Sequence, residues 1–313
     1  MPAFCRLSSR FLTSLLLCAA MATGAGCGEG GNAERTDKTA SERGTGELRI
    51  VSLSPAISRT LMDFGLADRI IGRSMFCDCL DPDTPVVGDL HAVNYERLLE
   101  LKPTHVLRQA STGDADRKLR EFGEEHGWVV SRWERLDTVD DIEDVVRDLP
   151  WILYEQSPED RFGMARRAAE LINEIAGALS PGSGDLWRGE TLIVHTLRPV
   201  GVFGHGTYLH DVLTRLGGIN AMTAEGWVEL SLEDIARLNP QAIIMVRPGA
   251  AADPDPLEAA GALGRLDIDA AREGRIALLT HEDALRPCTG IIGVAAEMRN
   301  ILRQFEESGE PPP

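Results

Sequence analysis

Residues 94–106 read NYERLLELKPTHV and residues 231–243 read SLEDIARLNPQAI. The two stretches align without a gap at a separation of 137 residues: Asn94 with Ser231, Glu96 with Glu233, Leu98 with Ile235, Leu101 with Leu238, Pro103 with Pro240, Val106 with Ile243. Each copy opens on a helix-capping side chain, sets a Glu in the first turn and carries an apolar face at helical spacing. Each then stops at a Pro and enters a buried strand. A repeat of this kind predicts two similar units within one chain.

The flanking segments agree. LRIVS (48–52) reads as a short strand, and Ser54-Pro55 starts a helix through Ile57, Leu61 and Phe64 that Gly65 ends. RIIG is the next strand, followed after the first copy by a charged helix (Asp114 to His126), the strand WVVSRW and an acidic helix (Thr138 to Leu153). The second half runs in the same order: strand ETLIVHT, a Gly-rich loop RPVGVFGHG, helix TYLHDVLTRLGG, the second copy with its strand QAIIMV, a Pro/Ala-rich connection, strand RIALL and a last helix from about Thr289 to Phe305. Phe64-Gly65 and Leu216-Gly217 stand 152 residues apart, so the first half carries 15 more residues, placed in the loop SMFCDCLDPDTPVVGDLHAV (74–93). Such alternation predicts an α/β protein with parallel sheets, in two Rossmann-like lobes. Between them Ser157-Pro158-Glu159-Asp160 starts a helix of about 22 residues, roughly 33 Å, long enough to run beside both lobes and join them.

The start of the chain is of another kind. Arg6 and Arg10 precede an apolar run from Phe11 to Ala22, and Gly24, Ala25 and Gly26 lead to Cys27. This pattern is that of a secretory signal, with an apolar run too short to span a bilayer comfortably. The expected organisation is a signal peptide (1–26), a flexible linker (27–47), an N-terminal lobe (48–156), the connecting helix (157–181), a C-terminal lobe (182–306) and a tail (307–313). Forty-nine acidic against 32 basic residues give a formal charge of -17, which repels polyanions and argues against nucleic-acid binding. No zincin, nucleophile-elbow or phosphate-loop motif occurs, so an enzyme such as a metal-dependent hydrolase is the weaker reading and no catalytic cofactor is expected. Once the leader is removed, and with Cys27 modified, Cys77, Cys79 and Cys288 remain, an odd number that cannot all pair. A disulfide between Cys288 and one of the close pair is the favoured pairing, with a free buried thiol the alternative.

The segments IVSLSPAISRTLMDFG, NYERLLELKPTHVL, GTYLHDVLTRLGGIN and ELSLEDIARLNPQAIIMV, taken in this order, make residues 48 to 306 resemble the substrate-binding proteins of ABC importers for vitamin B12, haem or iron siderophores. The resemblance implies the helical-backbone periplasmic binding protein fold, a ligand held between the lobes, and no catalysis. It further implies a periplasmic location, a monomer, and docking of one surface Glu per lobe, here Glu96 and Glu233, onto an ABC permease in the inner membrane. Small residues before Cys27 resemble a bacterial lipoprotein cleavage site, making Cys27 the acylated residue and a lipid anchor the sole membrane attachment. A binding protein that signals ligand occupancy without transport is the alternative within this fold.

Ligand contacts are expected from loops after strand ends. On the first lobe these are Phe76, His91 and Arg108; on the second they are Phe203, His205, Tyr208, Trp227, Arg247, His281 and Arg286. Aromatic faces suit a macrocycle, guanidinium groups suit an anionic chelate, and imidazoles can ligate a metal centre or hydrogen-bond a polar ligand. Phe203 and Trp227 have an alternative role as plugs of the lobe cores. Phe76 matches an aromatic of the B12-binding members, whereas Leu90 stands where those carry Trp. The implied ligand is therefore cobalamin-like first, a ferric siderophore or haem second.

Overall fold

Asn94 and Ser231 cap their helices in the same way, each side-chain oxygen accepting the N–H three residues on, from Arg97 at 2.9 Å and from Asp234 at 3.1 Å. The helices Tyr95–Leu101 and Leu232–Leu238 both end on a left-handed non-glycine residue, Lys102 at φ 46° and Asn239 at φ 49°. The strands that follow are His105–Gln109 and Ala242–Val246. Every boundary is shifted by the same 137 residues, so the repeat is one of backbone conformation as well as of residue type. A β-carbon is unfavourable at left-handed φ, and Asn tolerates that region better than Lys. Lys102→Gly is accordingly expected to raise stability by roughly 0.5 to 1 kcal/mol, read as a urea midpoint, whereas Asn239→Gly should lower it, because Asn239 Oδ1 accepts the Asp269 N–H at 2.9 Å and its Nδ2 donates to Asp269 Oδ2 at 3.0 Å.

The computed structural model describes residues 47–89, 91–109, 115–250 and 255–308, so Cys27, Leu90 and the linker as far as residue 46 lie outside the described residues. The first lobe runs β1 (Ile50–Ser52), α1 (Pro55–Asp63), β2 (Ile70–Ser74), β3 (Val86–Gly88), α2 (Tyr95–Leu101), β4 (His105–Gln109), α3 (Ala115–His126), β5 (Val129–Trp133) and α4 (Val139–Leu153). Its sheet is wholly parallel in the order β3-β2-β1-β4-β5. Helix α5 (Pro158–Ala178) leads to the second lobe: β6 (Glu190–Leu197), β7 (Val200–Phe203), α6 (Tyr208–Arg215), β8 (Ile219–Asn220), β9 (Trp227–Leu230), α7 (Leu232–Leu238), β10 (Ala242–Val246), α8 (Pro256–Ala259), α9 (Asp269–Arg272), β11 (Ile276–Leu279) and α10 (Ile291–Glu307).

The second sheet is mixed, with β10, β11 and β8 parallel and the path β6-β7-β9 antiparallel. The segment RPVGVFGHG, expected as a loop, thus contains a buried strand. Its Gly and Pro residues masked the pattern, yet Gly201 is a packing requirement: a β-carbon there would sit 2.4 Å from His195 Nε2. Matching β1, β2, β4 and β5 to β6, β8, β10 and β11 leaves β3 unmatched in the first lobe and the antiparallel pair β7 and β9 in the second.

Helix α5 ties the two cores together. Ala168 and Leu171 pack into the first-lobe core with Ile57, Leu61 and Leu149, while Ile175 and Leu179 pack into the second with Leu209, Leu213 and Met298. The buried positions of this helix fall in its C-terminal half, where successive turns enter the first and then the second core and burial of apolar area ties the two lobes to one rod. Among the described residues, no helix is long and apolar enough to cross a membrane.

Candidate functional site

Between the lobes, helix α1 and the loop after β2 meet the segment after β11, and a charged network forms the contact. Asp283, fully buried, lies between Arg59 Nε at 3.2 Å and Arg286 Nη1 at 2.5 Å. Arg59 also bridges to Asp63 at 2.6 Å, and Thr289 Oγ1 donates to the other Asp63 oxygen at 2.6 Å. Arg286 Nη2 reaches across to Asp78 of the first lobe. Gly290 makes room for this arrangement, since a β-carbon there would lie 2.1 Å from Asp283 Oδ2. Farther along, Asp211 accepts the Val139 N–H at 3.0 Å and Arg215 pairs with Asp140 at 2.6 Å.

On the first-lobe wall Phe76 is 63% exposed and stands next to exposed Met75. Its loop is fixed from one side by Arg73, which donates to the carbonyls of Thr84, Cys77 and Pro82 at 3.0, 3.0 and 3.2 Å. The Phe76 N–H donates to Ser74 Oγ at 3.2 Å, so the ring projects from a braced turn. His91 is exposed in a turn closed by Asp89, whose carboxylate is held below its usual range by the N–H groups of Ala92 and His91. Arg108 is buried on the face of the sheet toward α3, donates to Gln109 O at 3.2 Å and lines a hollow of about 120 Å³ with Arg120, Val130 and Arg132.

On the second-lobe wall three rings cluster. His195 meets Trp227 edge-on at 4.6 Å and Phe203 at 5.4 Å, and Phe203 lies 4.2 Å from Trp227. Trp227 is 53% exposed whereas Phe203 is fully buried, so Trp227 presents a face that Phe203 and His195 support from behind. Burial, with Arg247 adding to it, keeps His195 below the ordinary histidine range, and the ring is neutral at pH 7.

Tyr208, also expected at the ligand, is a core residue whose hydroxyl donates to Ala284 O; burial drives its pKa well above the usual tyrosine value. His205 is exposed and its ring lies 4.2 Å from that of His210. Arg247 donates to the carbonyls of His195 and Val246 at 3.0 and 2.9 Å. His281 anchors a turn: its N–H donates to Glu297 Oε2 at 2.8 Å and its Nδ1 accepts from the Asp283 N–H at 3.1 Å.

The fold therefore leaves Phe76, His91, His205 and Trp227 with open faces, and places Phe203, Tyr208 and Arg108 in the interior. The reason is local. β7 is buried along its whole length, and Tyr208 starts α6 with its side chain turned into the second-lobe core. Arg286, Arg247 and His281 are already engaged with protein groups. Sequence reasoning missed Arg59, Asp63 and Asp283, because their pairing spans more than 220 residues and leaves no local signal. The three cysteines of the described residues are free, with Cys288 buried in the first-lobe core and Cys77 Sγ 3.4 Å from Cys79 Sγ. The Cys288 pairing favoured from the sequence does not form.

Glu96 and Glu233 occupy equivalent first-turn positions of α2 and α7 and both are exposed. Their neighbours are spoken for, Arg97 by Glu100 at 2.6 Å and Arg237 by Asp234 at 3.0 Å. Among the described residues neither Glu96 nor Glu233 makes a hydrogen bond or ion pair. Nor do the described residues contain a group of three or more His, Cys, Asp or Glu placed to hold a metal ion.

No protein-family model and no curated protein matches the sequence. Solved structures do. A possible iron-binding periplasmic solute-binding protein of Staphylococcus epidermidis matches with a TM-score of 0.65 at 22% identity, over 81% of this chain and 97% of that one. The periplasmic vitamin B12-binding protein BtuF of Vibrio cholerae gives 0.62 at 18% identity over 83% and 98% of the two chains. The periplasmic heme-binding protein RhuT of Roseiflexus, in apo form, gives 0.61 at 19% over 85% and 100%. At these identities the likeness is one of fold.

Proposed function

The chain has the two-lobed α/β fold of the periplasmic solute-binding proteins, both lobes packed on one long helix, and we propose that it is the substrate-binding component of an ABC importer. In this reading it captures a metal-chelate cofactor between its lobes and delivers it to a permease in the inner membrane. Acyl chains on Cys27 hold it at the membrane, and the linker 27–47 provides the leash. The observation that carries the reading is the repeat itself. It leaves two carboxylates, Glu96 and Glu233, at equivalent exposed positions and without ion pairs among the described residues, which suits a two-fold partner bearing Arg residues.

The open faces favour a cobalamin-like ligand. Phe76 on one wall and Trp227 on the other offer flat apolar surface. The Arg286 guanidinium is paired with Asp283 and Asp78, which leaves less positive charge for a polyanionic chelate, whereas Arg247 keeps its charge with Nη1 held by two carbonyls. The metal then arrives inside its own ring of ligands. His91 and His205 would be available to hydrogen-bond its polar groups or to ligate its metal. Arg108, Phe203, Tyr208 and His281 support these groups through the frame of the walls.

Phe76→Ala and Trp227→Ala are each expected to weaken cobalamin binding by roughly tenfold or more, as loss of a buried aromatic anchor does. Quenching of tryptophan fluorescence on titration reads this, and Trp227→Phe should lose most of the quench while keeping most of the affinity. Unchanged binding in both alanine variants would remove the aromatic walls from the site.

A further inference from the structure

Cys77 and Cys79 take no part in ligand capture as proposed, yet the fold holds them together with care. The Cys77 N–H donates to Ser74 O at 3.1 Å and Arg73 donates to Cys77 O at 3.0 Å, so the turn is braced on both sides of its first sulfur. The two sulfurs lie 3.4 Å apart, Cys77 buried and Cys79 half-buried. Asp78 between them is the residue that Arg286 reaches from the other lobe, which brings a guanidinium to the pair.

The hydrogen bond from Cys79, aided by Ser58 and Arg286 against the cost of burial, pulls Cys77 down to about 6, while the same shared proton pushes Cys79 up. The lowered Cys77 thiol thus lies in contact with a second sulfur with which it shares a proton. Cys288 differs, since burial pushes its thiol up and it lies among apolar side chains of the first-lobe core.

We propose that Cys77 and Cys79 form a thiol–disulfide exchange site in the cleft wall, reducing a small external disulfide and closing into a Cys77–Cys79 disulfide. The external disulfide is met at the more exposed sulfur. Cys79 attacks the disulfide while the Cys77 thiolate, acting as base, takes up the shared proton in the same step, forming a mixed disulfide and expelling one thiolate. Cys77 then attacks the Cys79 sulfur, the mixed bond breaks, and the second thiol leaves with the proton. Two electrons pass from the protein to the external disulfide, and one protein S–S bond replaces the external one. Closure draws the sulfurs from 3.4 Å to about 2.05 Å. The ring so formed contains Asp78, so the oxidation state acts on the residue that Arg286 holds across the lobes.

The experiment is equilibration of the full chain in buffers of reduced and oxidised glutathione, followed by acid quench, alkylation and tryptic digestion. The peptide from Ser74 to Arg97 holds Cys77 and Cys79 and no other cysteine. The expected result is a single step from two alkylated thiols to a peptide lighter by two hydrogens, without a lasting glutathione adduct. In Cys77→Ser the adduct on Cys79 should persist. Two alkylated thiols at every ratio in folded wild-type protein would overturn the proposal, as would a lasting adduct on the wild-type peptide or a link from either sulfur to Cys288. The wild-type arm decides even where the variant fails to fold.

Discussion

Arg286→Met is expected to cost about 3 kcal/mol of unfolding free energy, because it strips a partner from a fully buried carboxylate. Asp283 would retain only Arg59, at 3.2 Å through Nε, and the arm that binds Asp78 across the lobes would vanish with the same side chain. Burying a charge without hydrogen-bonded compensation is among the few single changes that destabilise a domain this strongly. Arg97→Ala supplies the contrast, since it breaks an exposed pair with Glu100 and should cost less than about 1 kcal/mol. Combining Arg286→Met with Asp283→Asn should recover much of the loss, because the amide oxygen still accepts from Arg59 and no buried charge remains. Urea unfolding of the three variants checks the ordering. An Arg286→Met loss no larger than that of Arg97→Ala would show that the inter-lobe network holds nothing together.

Glu96→Ala combined with Glu233→Ala should reduce cobalamin uptake by cells roughly tenfold or more while leaving the affinity of the isolated protein for ligand unchanged. Both carboxylates are exposed and lack intramolecular partners among the described residues, so their removal should not disturb the fold. Each single variant should lose less, since one lobe can still find its register on the permease. The pairing of normal binding with failed uptake separates docking from capture. Full uptake in the double variant, at normal expression, would detach these residues from any partner.

Both predictions rest on features that differ in how far they could be read from residues alone. The helices α2 and α7 were legible because capping, apolar spacing and a Pro stop are local, and each is written within about ten residues. The left-handed ends at Lys102 and Asn239 follow from the same positions, although Lys is not a residue that announces such a turn. Strand β7 was hidden: Val200 to Phe203 is buried along its length and lacks the alternation that marks a half-exposed strand, and Gly and Pro flank it.

The site divides similarly. The exposure of Phe76 and Trp227 accords with their place after or beside strands, but whether Phe203 faced outward or into the core depended on the face of a strand that was not foreseen. Asp283 carried no signal, because its partner Arg59 comes from the opposite lobe. Charge pairing of this kind is decided by tertiary geometry, which composition and spacing do not encode.

Calorimetric titration of the protein with cobalamin, with haem and a ferric siderophore in parallel, would establish whether it holds a metal-chelate cofactor. Saturable one-to-one binding of cobalamin that Trp227→Ala weakens is the expected result. Absence of saturable heat with all three ligands, in protein that circular dichroism shows to be folded, would contradict it.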